Sequence, residues 1–387
     1  MQTMNSQPSV DVKGSWEDLL QQANDFAAVD NDQCIPLWQK VTDRLSKLTN
    51  AQLDAGEGHL RKLRLIAASN LQQYFVSRQR YDEAIQVIER LEKEIDPEDS
   101  EQWQKAAIET LVIAGRNEQA IERAKKSAQA APADDVDTWG SLVYTALALK
   151  EFSAAEEALR EIERRINRAR KAEGIAATKE DSAYLSWLRA NYALEQGLWD
   201  EAIAWWTHAS TQDKYYDGEV YNLYIKFLRA GQAAKALQLI ERDKANQVRA
   251  DFWRGLAMSR LGKEKDGQQY WHRAASVDVN ENEDLRYALT EYFLAHYYLP
   301  ELRDQGLAAN LTLIREVEGL DWHFHYLAAL GFALRNDLDN AQIHLTEAVT
   351  RHRRAGLGAR LRHETWFPFA DLLENSTQNE LKKYFNL

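Results

Sequence analysis

One small residue recurs along this chain at nearly regular intervals. Successive offsets between the recurring alanines are 36, 35, 47, 34 and 105 residues, and Gly267 in EKDGQ marks one more unit inside the last gap. A period near 34 residues is typical of a repeated pair of helices, and it predicts about eight such units. The alanines are Ala84, Ala120, Ala155, Ala202, Ala236 and Ala341, in YDEAI, NEQAI, FSAAE, WDEAI, AAKAL and LDNAQ.

Two further regularities indicate that each unit is a helix hairpin. Five residues before the small residue stands a glycine or asparagine, which readily takes the left-handed conformation that ends a helix. Four residues after it stands a large apolar residue, which is helical spacing. The turn residues are Gly115, Gly197, Gly231, Gly262 and Asn336; the apolar ones are Ile88, Leu159, Trp206, Ile240, Trp271 and Leu345.

Composition favours helices throughout. Only 17 Gly and 6 Pro occur in 387 residues, and the residues that lose least entropy in a helix dominate the rest. The chain is therefore predicted to be all-α.

The segments WDEAIAWWTHA, NEQAIERAKKSAQAAP and LDNAQIHLTEA resemble second helices of tetratricopeptide repeats. This resemblance implies a right-handed superhelical solenoid of about eight antiparallel hairpins with capping helices, whose first helices line a concave groove. Such grooves bind peptides or helices of other proteins.

The repeat register also divides the chain. Residues 1–14 are predicted to be a disordered tail, 15–64 an N-terminal helical cap or degenerate repeat, 65–351 the solenoid and 352–387 the C-terminal capping helices. Between Ala155 and Ala202 the period is exceeded, so we expect a lengthened helix and a loop within residues 160–180. The unit between Asp284 and Gly319 shows no clean register.

Positions that face the groove on the first helices form an aromatic and amide-rich set. Aromatic residues and arginine carry much of the binding energy in protein interfaces, although residues at such spacing also form packed cores. The predicted partner-binding residues are Tyr184, Trp187, Asn191, Tyr221, Asn222, Arg249, Phe252 and Trp253.

Part of this set is similar to the carboxylate clamp of some tetratricopeptide proteins. Asn191 and Asn222, 31 residues apart, and Arg249 match that pattern, but Trp187 and Trp253 replace two of its cations. Loss of cations weakens carboxylate binding, so binding of an extended peptide backbone is the preferred interpretation.

The sequence offers no catalytic motif. It contains no glycine-rich phosphate loop, nucleophile elbow or zinc-protease helix. His323 and His325 are two residues apart on a helix and point to different sides, and Cys34 is the single cysteine. We therefore predict a protein that is not an enzyme and has no metal or cofactor.

Charge and hydropathy define the surroundings we expect. A formal net charge of −12 argues against nucleic acid as a partner, and the two basic runs, residues 160–171 and 351–362, are interspersed with acidic residues or lie near helix ends. There is no signal peptide pattern and no apolar run long enough for a bilayer, which predicts a cytoplasmic protein.

Three hypotheses follow for its function. The first is an adaptor that binds a peptide or helix of a partner protein in the groove. The second is a regulatory subunit that binds and controls a separately encoded enzyme such as a protease or nuclease. The third is RNA binding by helical repeats, which predicts strongly salt-dependent affinity. The oligomeric state is not indicated by the sequence.

Overall fold

The computed structural model describes residues 15–28, 31–94, 97–132, 135–173, 179–243, 246–277, 288–316, 321–354, 361–362, 366–367 and 370–386. The predicted tail, residues 1–14, lies outside them. The described chain is almost entirely helical and divides into two compact units. Unit 1 comprises Met1–Arg116 and Arg354–Ala359, and unit 2 comprises Asn117–Arg353 and Arg360–Leu387.

The described residues of unit 1 form five helices that pack mainly on their neighbours in the chain. They are α1 (Trp16–Ala28), α2 (Cys34–Leu45), α3 (Asn50–Ser77), α4 (Tyr81–Glu94) and α5 (Pro97–Ile113). Thr49 and Gln52 form a reciprocal capping box at the start of α3, which satisfies two backbone donors that a helix N-terminus leaves open. Since α3 runs unbroken through residue 65, the predicted boundary there is not marked by a turn.

Unit 2 continues the same pattern with longer arrays of hairpins. Its helices are α6 (Asn117–Ala130), α7 (Asp137–Ala148), α8 (Phe152–Glu173), α9 (Lys179–Glu195), α10 (Trp199–Gln212), α11 (Val220–Arg229), α12 (Ala233–Ile240), α13 (Gln247–Arg260), α14 (Glu264–Ala275), α15 (Leu289–Tyr298), α16 (Arg303–Glu316), α17 (Trp322–Leu334), α18 (Leu338–Arg354) and α19 (Asn375–Leu381).

Helix packing within unit 2 follows chain order. Most first helices pack on the second helix of their hairpin, as α7 does on α8, α9 on α10 and α13 on α14. Some first helices also contact the next one, as α13 does α15 and α15 does α17. Contacts restricted to near neighbours are the mark of a repeat array, so the predicted all-α fold of stacked hairpins is confirmed.

The recurring small residue occupies one structural position. Ala84, Ala120, Ala155, Ala202, Ala236, Gly267 and Ala341 are each the fourth residue of their helix. The alanines are fully buried. At Gly267 even a methyl group would be too large, because a Cβ atom there would lie 2.8 Å from the carbonyl oxygen of Gly255. The small residue thus sets how closely the two helices of a hairpin approach.

The turn before each of these helices uses the left-handed conformation. All five predicted turn residues have positive φ, and so do Gln79 and Lys150, which stand in the same place in their units. These two were not predicted, because neither residue type favours positive φ.

The two regions of the sequence that depart from the repeat period have different structures, one a lengthened helix and the other a hairpin with an unusual turn. Helix α8 extends over 22 residues, Phe152–Glu173, which confirms the predicted lengthening. Residues 174–178 of the predicted loop lie outside the residues that the structure describes. The unit without a clear register is the hairpin of α15 and α16, where Gly306 is the fourth residue of the second helix. Its turn is extended at Leu299 and continues as a 3-10 helix, Pro300–Leu302.

The C-terminal segment is part of unit 2 and packs onto the helices of that unit. Leu361–Arg362 (β1) pairs in parallel with Phe385–Asn386 (β2), and Leu361, Leu381 and Phe385 are buried in the main core of this unit. Trp366 contacts Phe385 with ring centres 4.8 Å apart. In the described part of the chain, no helix is both long and apolar enough to cross a membrane.

Candidate functional site

The first helices of unit 2 surround a cavity of about 810 Å³. Side chains from α7, α9, α11, α13, α15 and α17 line it, together with a 3-10 turn, Lys214–Asp217, and Phe367. We call this space the unit 2 cavity. Seven predicted partner-binding residues line it: Tyr184, Trp187, Asn191, Tyr221, Asn222, Arg249 and Trp253.

Phe252, the eighth predicted residue, does not reach the cavity. Its side chain is fully buried, and its ring contacts those of Trp253 and Tyr298 at centre distances of 5.0 and 5.5 Å. The residue lies one position before Trp253 on α13, so its side chain points about 100° away around the helix. Phe252 therefore supports the cavity wall from behind.

The floor of the cavity contains a buried carboxylate, Glu291 on α15. The residue is only 3% exposed. Its Oε1 accepts hydrogen bonds from the hydroxyl of Tyr221, at 2.9 Å, and from the indole N–H of Trp253, at 3.2 Å. Both donors are neutral. Among the described residues none donates a hydrogen bond to Oε2, and Glu291 lines the cavity.

One wall is a row of contacting aromatic and guanidinium groups. The guanidinium carbon of Arg249 lies 4.4 Å from the ring centre of Tyr221, and the ring of Tyr221 is 6.4 Å from that of Trp253. Phe367 stacks on Trp253 at 6.2 Å. The guanidinium carbon of Arg260 lies 4.6 Å from the ring centre of Phe367, and the same guanidinium group forms an ion pair with Asp371. The C-terminal segment is thereby fixed against the cavity.

The two asparagines predicted to contact a partner are already engaged within the protein. The amide nitrogen of Asn191 donates to the carbonyl oxygen of Trp187 at 3.0 Å. That of Asn222 donates to Glu219 Oε2 at 2.8 Å. Glu219 also lines the cavity, so the neighbourhood of Asn222 is acidic. One of the two N–H donors of each amide is thus used within the protein, and the carboxylate of Glu219 beside Asn222 disfavours a second carboxylate there.

Lys226 is engaged as well. Its ammonium group lies 2.8 Å from Glu195 Oε1, and Lys150 pairs with the same carboxylate. Burial acts to raise the pKa of Glu195, but hydrogen bonds from both lysines outweigh it and the pKa is lowered. The carboxylate therefore stays ionised and holds Lys226 at the edge of the cavity.

Tyrosines around the cavity are neutral donors. Burial raises the pKa of Tyr184, Tyr221 and Tyr326, so each keeps its proton at neutral pH. Tyr221 uses its proton to hold Glu291 in place. Tyr184 fits against α7 because Gly140 has no side chain where the Tyr184 hydroxyl lies.

Nine cavity residues were not predicted from the sequence. Four others were also read as groove-facing positions of the first helices, namely Tyr144, Ile225, His323 and Tyr326. Tyr215 and Tyr216 lie in the 3-10 turn between α10 and α11, where helical periodicity makes no prediction. Phe367 lies far along the sequence from the first helices that line the cavity. Glu291 and its neighbours belong to the hairpin without a clear register. The nine are Tyr215, Tyr216, Glu219, Lys226, Arg229, Thr290, Glu291, Leu294 and Phe367.

The remaining candidate groups from the sequence are His323, His325 and Cys34, of which His323 lines the cavity. Nδ1 of His325 lies 3.1 Å from Nδ1 of His344, whereas His323 pairs with Asp321, so the two histidines do point apart. Cys34 is buried, and burial raises the pKa of its thiol to about 11. Among the residues with a described position, no group of three or more His, Cys, Asp or Glu is placed to hold a metal ion.

Comparison with known proteins finds likeness in structure only. No protein-family model matches the chain, and no curated protein matches it. A tetratricopeptide repeat protein from Parabacteroides merdae is 13% identical with a TM-score of 0.37, covering 72% of this chain and 98% of its own.

Two further solved structures are similar at the same level. The apo quorum sensor NprR from B. thuringiensis is 9% identical with a TM-score of 0.34, covering 86% of this chain and 97% of its own. The Cut9–Hcn1 hetero-tetramer of the APC/C gives 14% identity and a TM-score of 0.32, covering 94% of this chain and 65% of its own. All three TM-scores lie below 0.5, so the fold of stacked helix hairpins rests on the helix order and packing of this chain itself.

Proposed function

We propose that this chain is a non-enzymatic interaction module that binds a segment of a partner protein in the unit 2 cavity. The observation that carries the proposal is the gathering of seven predicted residues, from three successive first helices, around one space. Its volume falls within the range of ligand sites, roughly 300–1,000 Å³.

The surface beside the cavity favours a protein segment over a small molecule. Tyr215 is 72% exposed and Tyr144 is 43% exposed, and both line the cavity. Exposed aromatic residues continuous with a cavity extend the contact area beyond what a small ligand would cover, and aromatic residues are enriched in protein interfaces.

A display experiment tests this proposal. Random peptides are selected on the full chain, and their affinity is measured for a double variant, Tyr215→Ala with Asn222→Ala, both at exposed positions of the cavity rim. We expect a loss of about ten-fold, because rim aromatics and polar groups each contribute to such interfaces.

The matched control is Ile343→Ala, which removes an exposed apolar side chain on α18 outside the cavity. It should leave the affinity unchanged. If peptides bind the double variant as tightly as the unaltered chain, the cavity is not the site. Affinity capture with the full chain that recovers an enzyme would favour the regulatory-subunit hypothesis, and salt-sensitive retention of single-stranded RNA in a filter assay would favour RNA binding.

A further inference from the structure

We propose that the segment bound in the unit 2 cavity carries a lysine or arginine side chain that reaches Glu291. This inference rests on the proposed function, because it specifies the chemistry of the bound segment. It starts from a buried charged group in the cavity floor and from what surrounds that group.

Glu291 is held as an acceptor with one oxygen in use. Tyr221 and Trp253 donate to Oε1, so the side chain is fixed in position, while Oε2 accepts no hydrogen bond from any described residue. A carboxylate that is 3% exposed is costly to bury without compensation. A cation entering the cavity would supply that compensation as a charge-assisted hydrogen bond.

The positively charged side chains that line the same cavity already interact with other groups of the protein. Lys226 is held by Glu195, and Arg249 lies over the ring of Tyr221. Arg229 is the last residue of α11, where a cation meets the negative end of the helix dipole. Glu219, by contrast, adds a second carboxylate to the lining.

The aromatic walls also suit a cation. Trp253 and Tyr326 line the cavity together with Glu291, and the faces of such rings attract ammonium and guanidinium groups. The chain as a whole has a formal net charge of −12, which raises the rate at which a basic segment finds it. A partner's C-terminal carboxylate would meet the same negative sign at both Glu219 and Glu291.

A double-mutant cycle tests the inference. A peptide selected by display is compared with a copy in which norleucine replaces its lysine, on the unaltered chain and on Glu291→Gln. Glutamine keeps the oxygen that accepts from Tyr221 and Trp253 and removes the charge. We expect norleucine to weaken binding about ten-fold on the unaltered chain and less than about two-fold on Glu291→Gln.

The control is Glu264→Gln, which removes the same charge from an exposed position on α14 outside the cavity; it should keep the full preference for lysine. Selected peptides that bind in the cavity but lack a basic residue would overturn this inference and leave the proposed function intact. An equal effect of norleucine on the unaltered chain and on Glu291→Gln would also overturn it. If no selected peptide depends on the cavity rim, the proposed function itself fails.

Discussion

The hairpins α9/α10 and α15/α16 differ in how they turn and in what they contribute. In the first, Gly197 has a φ of +74° and ends the first helix in the left-handed conformation. In the second, Leu299 is extended and Pro300–Leu302 forms a 3-10 turn. Yet both second helices have a small residue in the fourth position, Ala202 and Gly306. Packing between the helices is therefore preserved where the turn is not.

The irregular hairpin also supplies the buried carboxylate of the cavity, Glu291. The regular hairpin supplies Trp187 and Asn191, which the repeat register made visible in the sequence. Glu291 was therefore not predicted, because it lies in the hairpin that departs from the repeat register.

The largest effect is expected at the small residue of the irregular hairpin. A Cβ atom on Gly306 would lie 2.6 Å from Cβ of His296, which is fixed to the backbone. Gly306→Val should therefore lower the free energy of unfolding by about 3 kcal/mol, measured by urea denaturation. Ala202→Gly should cost about 2 kcal/mol, from helix propensity and the lost burial of one methyl group. A negligible cost of Gly306→Val would show that the irregular hairpin is not under this packing constraint.

A second comparison concerns buried histidines on the two first helices α15 and α17. Burial lowers the pKa of His296. For His325, burial, assisted by Arg351 and His344 and opposed by Glu347, lowers the pKa to about 4. Because the unfolded chain binds the proton more readily, stability is full above a pH of about 6.5 and is lost as pH falls toward about 4.

At pH 5 the loss due to His325 should be about 2 kcal/mol relative to pH 7.5. His325→Gln should remove that part of the acid sensitivity, as urea denaturation at the two pH values will measure. An unchanged difference between the two pH values would contradict the assignment to His325. His296→Gln serves as the parallel measurement in the irregular hairpin.

The turn conformation can be tested at one position in each unit, Gln79 in unit 1 and Gly231 in unit 2. Gln79 has a φ of +60°, a conformation that costs roughly 1 kcal/mol for a residue other than glycine. Gln79→Gly should raise the free energy of unfolding by about 1 kcal/mol. Gly231→Ala should lower it by a similar amount, because no heavy atom lies within 4 Å of the added methyl group and only the backbone conformation is penalised. The same sign for both changes would contradict this account of the turn.

The smallest effect on stability is expected at Glu291. Glu291→Gln keeps an acceptor for Tyr221 and Trp253, so the free energy of unfolding should change by less than about 1 kcal/mol. A much larger loss would mean that the carboxylate holds the hairpin together, and that its effect on binding reports structure.

The sequence was sufficient to predict the hairpin register, because small residues at close helix contacts and glycines at left-handed turns are demanded by local geometry. It predicted seven cavity residues for the same reason, since residues on one face of a first helix recur at helical spacing. Phe252 was expected to face the groove but is buried behind the cavity wall. It is adjacent to Trp253 on α13, and helical spacing alone does not show which of two adjacent residues at the border of a helix face points toward the groove.

The rest depends on contacts between distant parts of the chain. Phe367 reaches the cavity only because the C-terminal segment folds back onto α13, where Arg260 pairs with Asp371. Tyr215 lies in a turn whose path no periodicity predicts. Gln79 and Lys150 take positive φ because the hairpin packing on both sides of the turn requires it.

The central claim is that the unit 2 cavity holds the partner segment, and the indole N–H signals of the tryptophans test it most directly. Trp187 and Trp253 line the cavity, whereas Trp271 donates to the carbonyl oxygen of Phe252 at 3.1 Å in the core of the same unit. On titration with a selected peptide, we expect the NMR signals of Trp187 and Trp253 to shift while that of Trp271 stays in place. Binding that leaves Trp187 and Trp253 unshifted would contradict the claim.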